Sequence, residues 1–146
     1  MSSPTARSAR QSRRQASASA PLPAGALALR ASLIAGAGSG LFAAQALPSG
    51  ALLGVYSGEA LTAAAFAARY PAGGERNPSY CYHQRADLII DAADESRSSV
   101  LRFINSPHGT PLRANVRFAA KAEVRAARAI KAGEELLLSY GRGYKW

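Results

Sequence analysis

Glycine and proline punctuate this chain so closely that its apolar runs stay short. GAGSG at residues 36–40, Pro48-Ser49-Gly50, Gly54, Gly58 and Pro71-Ala72-Gly73-Gly74 each close a brief apolar stretch. Segments between such breakers fold as short curled strands joined by turns, not as a long flat sheet. Leu27, Leu29, Ala31 and Leu33 alternate with smaller or polar residues in the period of a half-buried strand. Residues 41–44, 51–58, 79–83 and 87–91 read as further strands, 95–105 as a mixed turn and short helix, and 105–115 as a loop marked by Pro107, Gly109 and Pro111. The clearest helix is TAAAFAARY at 62–70, with Thr62 as N-cap and the Pro-Ala-Gly-Gly stop behind it. In residues 116–130 alanine favours helix, whereas the alternation of Val124, Ala126, Arg128 and Ile130 favours strand. The strand reading gives residues 135–140 a pairing partner across a Lys131-Ala132-Gly133 turn.

The core must be small, because 33 of the apolar residues are alanine and only 37 are larger. A chain of 146 residues is one domain's worth of protein. The single cysteine, Cys81, excludes an internal disulfide and a multi-cysteine zinc cluster. The apolar runs fall far short of the roughly 20 residues that cross a bilayer, so the expectation is a soluble, intracellular protein without structural metal.

The formal charge of +9 is unevenly placed. Residues 1–58 carry Arg7, Arg10, Arg13, Arg14 and Arg30 and no acid before Glu59. Residues 1–25, rich in Ser, Ala and Arg, cannot bury enough surface to offset their ordering entropy and read as a disordered basic tail. An organelle transit peptide, a basic arm that attracts nucleic acid or directs the chain to the nucleus, and a neutral solvated extension are three readings of it. Direct nucleic-acid binding is expected only through this tail, since the positive charge is concentrated there and not on a face with exposed aromatics.

Common catalytic signatures are absent: there is no HExxH, no paired metal-ligand spacing and no GxxxxGK[ST] loop. Cys81 with His83 or His108 could form a thiol–imidazole pair, although isolated residues of these types are more often structural. Gly38-Ser39-Gly40 allows backbone to approach a ligand closely, and Asn105 places an amide at the start of an irregular loop.

Taken in order, GSGLFA (38–43), YSG (56–58), SYCYH (79–83), IDA (90–92), RFIN (102–105), Asn115 and GEELLLSYG (133–141) resemble the SET domain of protein lysine methyltransferases. The resemblance covers residues 26–146 and implies a mostly β, SET-type (β-clip) fold of small curled sheets, with a few short helices and a C-terminal pseudoknot. It implies a protein-lysine N-methyltransferase that uses S-adenosylmethionine and acts on a lysine-containing protein or peptide, with a histone tail favoured and the nucleus as compartment. Tyr140 matches the catalytic tyrosine, and Tyr82 is a second candidate for the lysine channel. Gly38, Ser39, Gly40, Tyr80, Arg102, Asn105, Ser106 and Trp146 are the expected cofactor-binding residues, and no metal is required.

This chain departs from the family pattern at several points. The family commonly reads Asn-His-Ser-Cys-x-Pro-Asn, whereas this chain reads Asn105-Ser106-Pro107-His108 and reaches Asn115 about four residues late. Leu138 stands where members often carry Phe or Tyr, and the flanking cysteine clusters are missing. Tyr144 and Trp146 are candidates to close the site by stacking. Glu59, Asp87, Asp91, Asp94 and Glu95 form either an acidic rim for a basic peptide or ordinary surface charge. Two alternatives accompany the main reading: an enzyme acting on a non-histone protein, in a plastid or mitochondrion if the tail is a transit peptide, and a SET-fold peptide-binding module without activity.

Overall fold

A computed structural model describes residues 22–74 and 78–139; the basic tail through residue 21, Tyr140 and Trp146 lie outside the described residues. Among the described residues, eight short strands and one α-helix make up the regular structure: β1 (Leu27–Ala31), β2 (Ser39–Ala43), β3 (Leu52–Val55), β4 (Glu59–Leu61), α1 (Ala63–Arg69), β5 (Cys81–Arg85), β6 (Leu88–Asp91), β7 (Val116–Phe118) and β8 (Glu123–Ala126). Helical turns of 3-10 type cover Glu95–Arg97, Val100–Phe103 and Ala120–Ala122. The strands form three small antiparallel sheets, ordered β1-β2, β3-β8-β7 and β4-β6-β5.

The helix forms where its alanines and cap place it. Thr62 Oγ1 accepts from Ala65 N at 3.1 Å, and Asp87 Oδ1 accepts from Ala63 N at 2.8 Å, so two of the N–H groups orphaned at the helix start are satisfied. None of its residues is fully buried, and Phe66 and Tyr70 anchor it on a small cluster of Leu61, Cys81 and Ile89. The main core lies among the other two sheets and includes Leu41, Leu47, Val124, Ile130 and Leu136, each 2% exposed or less. Leu22 packs against it at the start of the described chain.

The C-terminal segment does not pair as its local sequence suggests. β8 lies between β3 and β7, and Ile130 bridges Leu47. Residues 135–138 instead bridge Phe42 on one side and, running parallel, Asn105 and Val116 on the other. Leu136, Leu137 and Leu138 are all buried, and three consecutive buried leucines need cover on both faces, which a hairpin with residues 124–130 could not supply. The segment therefore lies between the two ends of the 105–115 loop, the arrangement of a pseudoknot. Threading of this kind is rare because connections seldom pass through one another.

Two asparagines hold it there. Leu138 N donates to the Asn105 carbonyl at 3.0 Å, while Asn115 and Val116 both donate through their backbone amides to the Leu137 carbonyl. The Asn115 side chain, 2% exposed, donates from Nδ2 to the Glu135 carbonyl and accepts at Oδ1 from Leu137 N, both at 2.8 Å. The loop between them closes on itself, with Thr110 N and Oγ1 both donating to the Pro107 carbonyl, so its extra length still returns Asn115 to the segment.

Replacing Asn115 with alanine would leave a buried N–H and a buried carbonyl without partners, at about 1–3 kcal/mol each. Asn115→Ala is expected to lower stability by about 2–4 kcal/mol, read as a fall in the urea midpoint at constant slope. A loss well below that range would show that the clamp contributes little.

Candidate functional site

The β1–β2 hairpin carries the glycine-rich segment. Ser32 N donates to the Gly38 carbonyl at 2.8 Å, and Ala31 faces Ser39 in register. Gly38 has φ +70°, a conformation that side chains other than glycine rarely adopt, and a Cβ there would meet nothing within 4 Å. Its Cα thus faces open space, while its carbonyl is held by Ser32. At Gly40 the constraint is different, for a Cβ would collide with Glu135 Oε1.

Asn105 joins this hairpin to the pseudoknot. Leu101 and Ile104, each 2% exposed, anchor the turn that precedes it. Its Nδ2 donates to the Ser39 carbonyl at 2.9 Å and to Glu135 Oε1 at 3.4 Å. Ser106 follows and accepts from His108 N at 3.2 Å through Oγ. Ser39 and Asn105, 66 residues apart in the chain, are therefore in direct contact.

Tyr80 and Arg102 form a second pair. The guanidinium lies 4.0 Å from the Tyr80 ring centroid, donates from Nε to the Ala92 carbonyl at 2.7 Å and from Nη2 to the Ala93 carbonyl at 3.1 Å. Arg102 is 9% exposed, so it supports Tyr80 from within. Its guanidinium thus lies against the Tyr80 ring and the Ala92 and Ala93 carbonyls. Tyr80 also accepts, through its carbonyl, a 2.6 Å hydrogen bond from Tyr56 Oη.

Tyr82 belongs to a ring cluster that sequence reading only partly found. It stacks on Phe118 at 3.5 Å with an 8° interplanar angle, and Tyr56 meets both rings edge-on at 6.1 and 5.7 Å. Burial pushes the Tyr82 hydroxyl above its ordinary pKa. Tyr56 was signalled by the YSG motif, whereas Phe118 had no local signal because β7 and β5 lie in different sheets.

The acidic residues act mostly within the fold. Arg69 bonds Glu59 through both Nη atoms and reaches Asp91 at 3.1 Å. Asp91 also accepts from Tyr70 Oη at 2.7 Å and from Ala93 N at 2.9 Å. Asp94 caps a 3-10 turn through Ser96, as Asp87 caps α1. Four of the five possible rim carboxylates are thus committed to structure. Burial works to raise the Asp91 pKa, but the Tyr70, Ala93 and Arg69 donors outweigh it and hold the carboxyl below its ordinary 3.8. Burial, with Asp91 nearby, pushes the Cys81 thiol up to about 12. A thiol so protonated is a poor partner for imidazole, and His83 meets the Phe66 ring edge-on at 4.8 Å.

Leu138 is 2% exposed and belongs to the main core. A cavity of about 510 Å³ borders Asn115, Glu135 and Leu137, with Leu33, Leu112 and Arg113 also on its walls. Among the described residues there is no group of three or more His, Cys, Asp or Glu that could hold a metal ion, and no helix long and apolar enough to cross a membrane.

A glycine-rich hairpin bonded to an asparagine, beside a C-terminal segment held inside a loop, is the framework of a SET-type fold. Residues 38–141 match the SET domain family, and the chain belongs to it. Among solved structures it is similar to ctPRC2 in an autoinhibited conformation bound to S-adenosylmethionine, at 27% identity and TM-score 0.61 over 82% of this chain and 15% of that one. Polycomb repressive complex 2 of Chaetomium thermophilum is similar at 26% identity and TM-score 0.64 over 84% and 16% of the respective chains. ctPRC2 in complex with H3K27me3 gives 27% identity and TM-score 0.67 over 82% and 15%. The chain therefore spans about 15–16% of the length of these chains. No curated protein sequence matches it.

Two outcomes follow from the Asp91 network. A depressed carboxyl pKa stabilises the fold above the unfolded value and loses that contribution as pH falls through the folded one. Asp91→Asn should therefore flatten the decline of thermal stability below about pH 4, and an unchanged acid limb would remove Asp91 from the account. Cys81 should resist iodoacetamide in the folded protein at pH 8 and react on unfolding in urea, as intact mass would show.

Proposed function

We propose that this chain is an S-adenosylmethionine-dependent protein-lysine methyltransferase, with a histone tail as substrate. The observation that carries the reading is the contact of Asn105 with both Ser39 and the segment ending at Leu138, because it joins the glycine turn, the asparagine motif and the chain leading to Tyr140. The residues present fit the cofactor: Gly38 lies beside open space, and Asn105, its Nδ2 engaged by Ser39 and Glu135, would offer its amide oxygen beside the Ser106 hydroxyl. S-adenosylmethionine, when bound, supplies a methyl group already activated on a sulfonium.

The protein's task is then alignment and electrostatics. Backbone at Gly38, Ser39 and Gly40 would cradle the methionine portion, with Asn105 and Ser106 binding polar groups and Tyr80, stiffened by Arg102, flanking them. The apolar rings of Tyr82, Phe118 and Tyr56 would form one wall of the lysine channel. Such a wall disfavours an ammonium and lowers the lysine pKa, releasing the lone pair for attack. Tyr140 would orient the amine through its hydroxyl, and Trp146 would close the site by stacking. A histone-tail substrate would put the activity in the nucleus, in keeping with the likeness to ctPRC2 structures solved with S-adenosylmethionine and with H3K27me3.

The test is methyl transfer from labelled S-adenosylmethionine to core histones, followed by radiolabel and intact mass, with Tyr140→Phe alongside and calorimetry for cofactor binding. Transfer by the unaltered chain that falls at least a hundredfold in the variant is expected, on the scale of a lost acid–base or orienting group. Absence of both transfer and cofactor binding would overturn the enzyme and leave a peptide-binding module; binding without transfer to histones would redirect the substrate to another protein.

A further inference from the structure

Glu135 is 5% exposed and pairs with no Lys or Arg among the contacts described, yet donors converge on both of its oxygens. Ser32 Oγ donates to Oε1 at 2.6 Å, Leu33 N to Oε2 at 2.9 Å, and Asn105 Nδ2 to Oε1 at 3.4 Å. Ser32 Oγ in turn accepts from Ile34 N at 3.0 Å, and Ser32 N holds the Gly38 carbonyl. The carboxylate also fills the space beneath Gly40 that a Cβ would need. One side chain from the pseudoknot thus touches both ends of the hairpin turn and the asparagine opposite it. A buried carboxylate is costly unless hydrogen-bonded, and the donors on Glu135 described above belong to the glycine turn or to Asn105.

We propose that Glu135 is the positioning residue of the cofactor cleft: it sets the spacing between the Gly38–Gly40 backbone and Asn105 by gripping Ser32, Leu33 and Asn105 together. The inference rests on the cofactor reading above. Because Glu135 lies three residues before Leu138 on the same threaded segment, seating of the pseudoknot and assembly of the cleft become one event. A chain whose C-terminal segment is not threaded has no carboxylate to order the turn.

Glu135→Gln keeps the shape but turns one acceptor into a donor facing donors. In the full-length protein, hydrogen–deuterium exchange across residues 32–40 should rise several-fold while residues 59–69 remain unchanged. The dissociation constant for S-adenosylmethionine by calorimetry should rise about tenfold, the scale expected for one lost hydrogen bond to a charged group. KM for the cofactor should follow, with kcat at saturating cofactor within about twofold, since no reacting atom is touched. Ser32→Asp sets a second carboxylate against Glu135 and should weaken cofactor binding likewise, and combining it with Glu135→Gln should restore part of the loss. A lower melting temperature with unchanged cofactor affinity, or unchanged exchange across residues 32–40, would overturn the proposal and leave Glu135 a purely structural residue. Failure of the unaltered protein to bind S-adenosylmethionine would instead overturn the cofactor reading, and this proposal with it.

Discussion

The fold depends on the seating of residues 135–138 between Asn105 and Asn115. This contact joins pieces that the short strands could not join by themselves, since each sheet has only two or three strands and none is an independent unit. Three leucines contribute the apolar burial, and the two asparagines satisfy the backbone groups that would otherwise be stranded inside. Apolar burial favours insertion without specifying register. The Asn115 amide specifies it, because only one alignment presents the Glu135 carbonyl and the Leu137 amide to the two ends of one side chain.

The candidate site is a by-product of that seating. Threading brings Glu135 under the glycine turn and Leu138 against Asn105, so the elements needed to hold a ligand are assembled by the same contacts that complete the core. Such coupling suits chemistry that needs alignment more than acid–base equipment. The proposed methyl transfer makes that kind of demand, which fits a protein with two histidines and one buried cysteine. The candidate site has exposed and buried members: Gly38 and Asn105 stand exposed or part-exposed, while Arg102 is buried against Tyr80, Asn115 against the threaded segment and Glu135 against Ser32 and Asn105.

The α1 region is organised on different physics. A small apolar cluster supports it, and the Glu59–Arg69–Asp91–Tyr70 network ties the helix to β4 and β6 through charge-assisted hydrogen bonds. The carboxylates that a sequence reader could assign to a peptide rim are mostly spent there or on caps. The aromatic cluster of Tyr56, Tyr82 and Phe118, and not an acidic face, is therefore the wall proposed for the lysine channel.

Local chemistry determined much of this protein in advance. Thr62 and the alanines after it specify the helix, glycine and proline limit the strands, and the order of GSG, RFIN and GEELLLSYG marks the family. These are properties of neighbouring residues, so they are legible in one dimension. The partner of residues 135–138, the burial of Arg102 behind Tyr80, the stacking of Phe118 on Tyr82 and the grip of Glu135 on Ser32 are not. Ser32 and Glu135 are 103 residues apart, and whether a carboxylate is surface charge or an internal latch depends on what the rest of the chain brings to it. Propensity acts over a few residues, whereas the requirement that every buried polar group find a partner is met only by the whole fold, and that requirement decided the site.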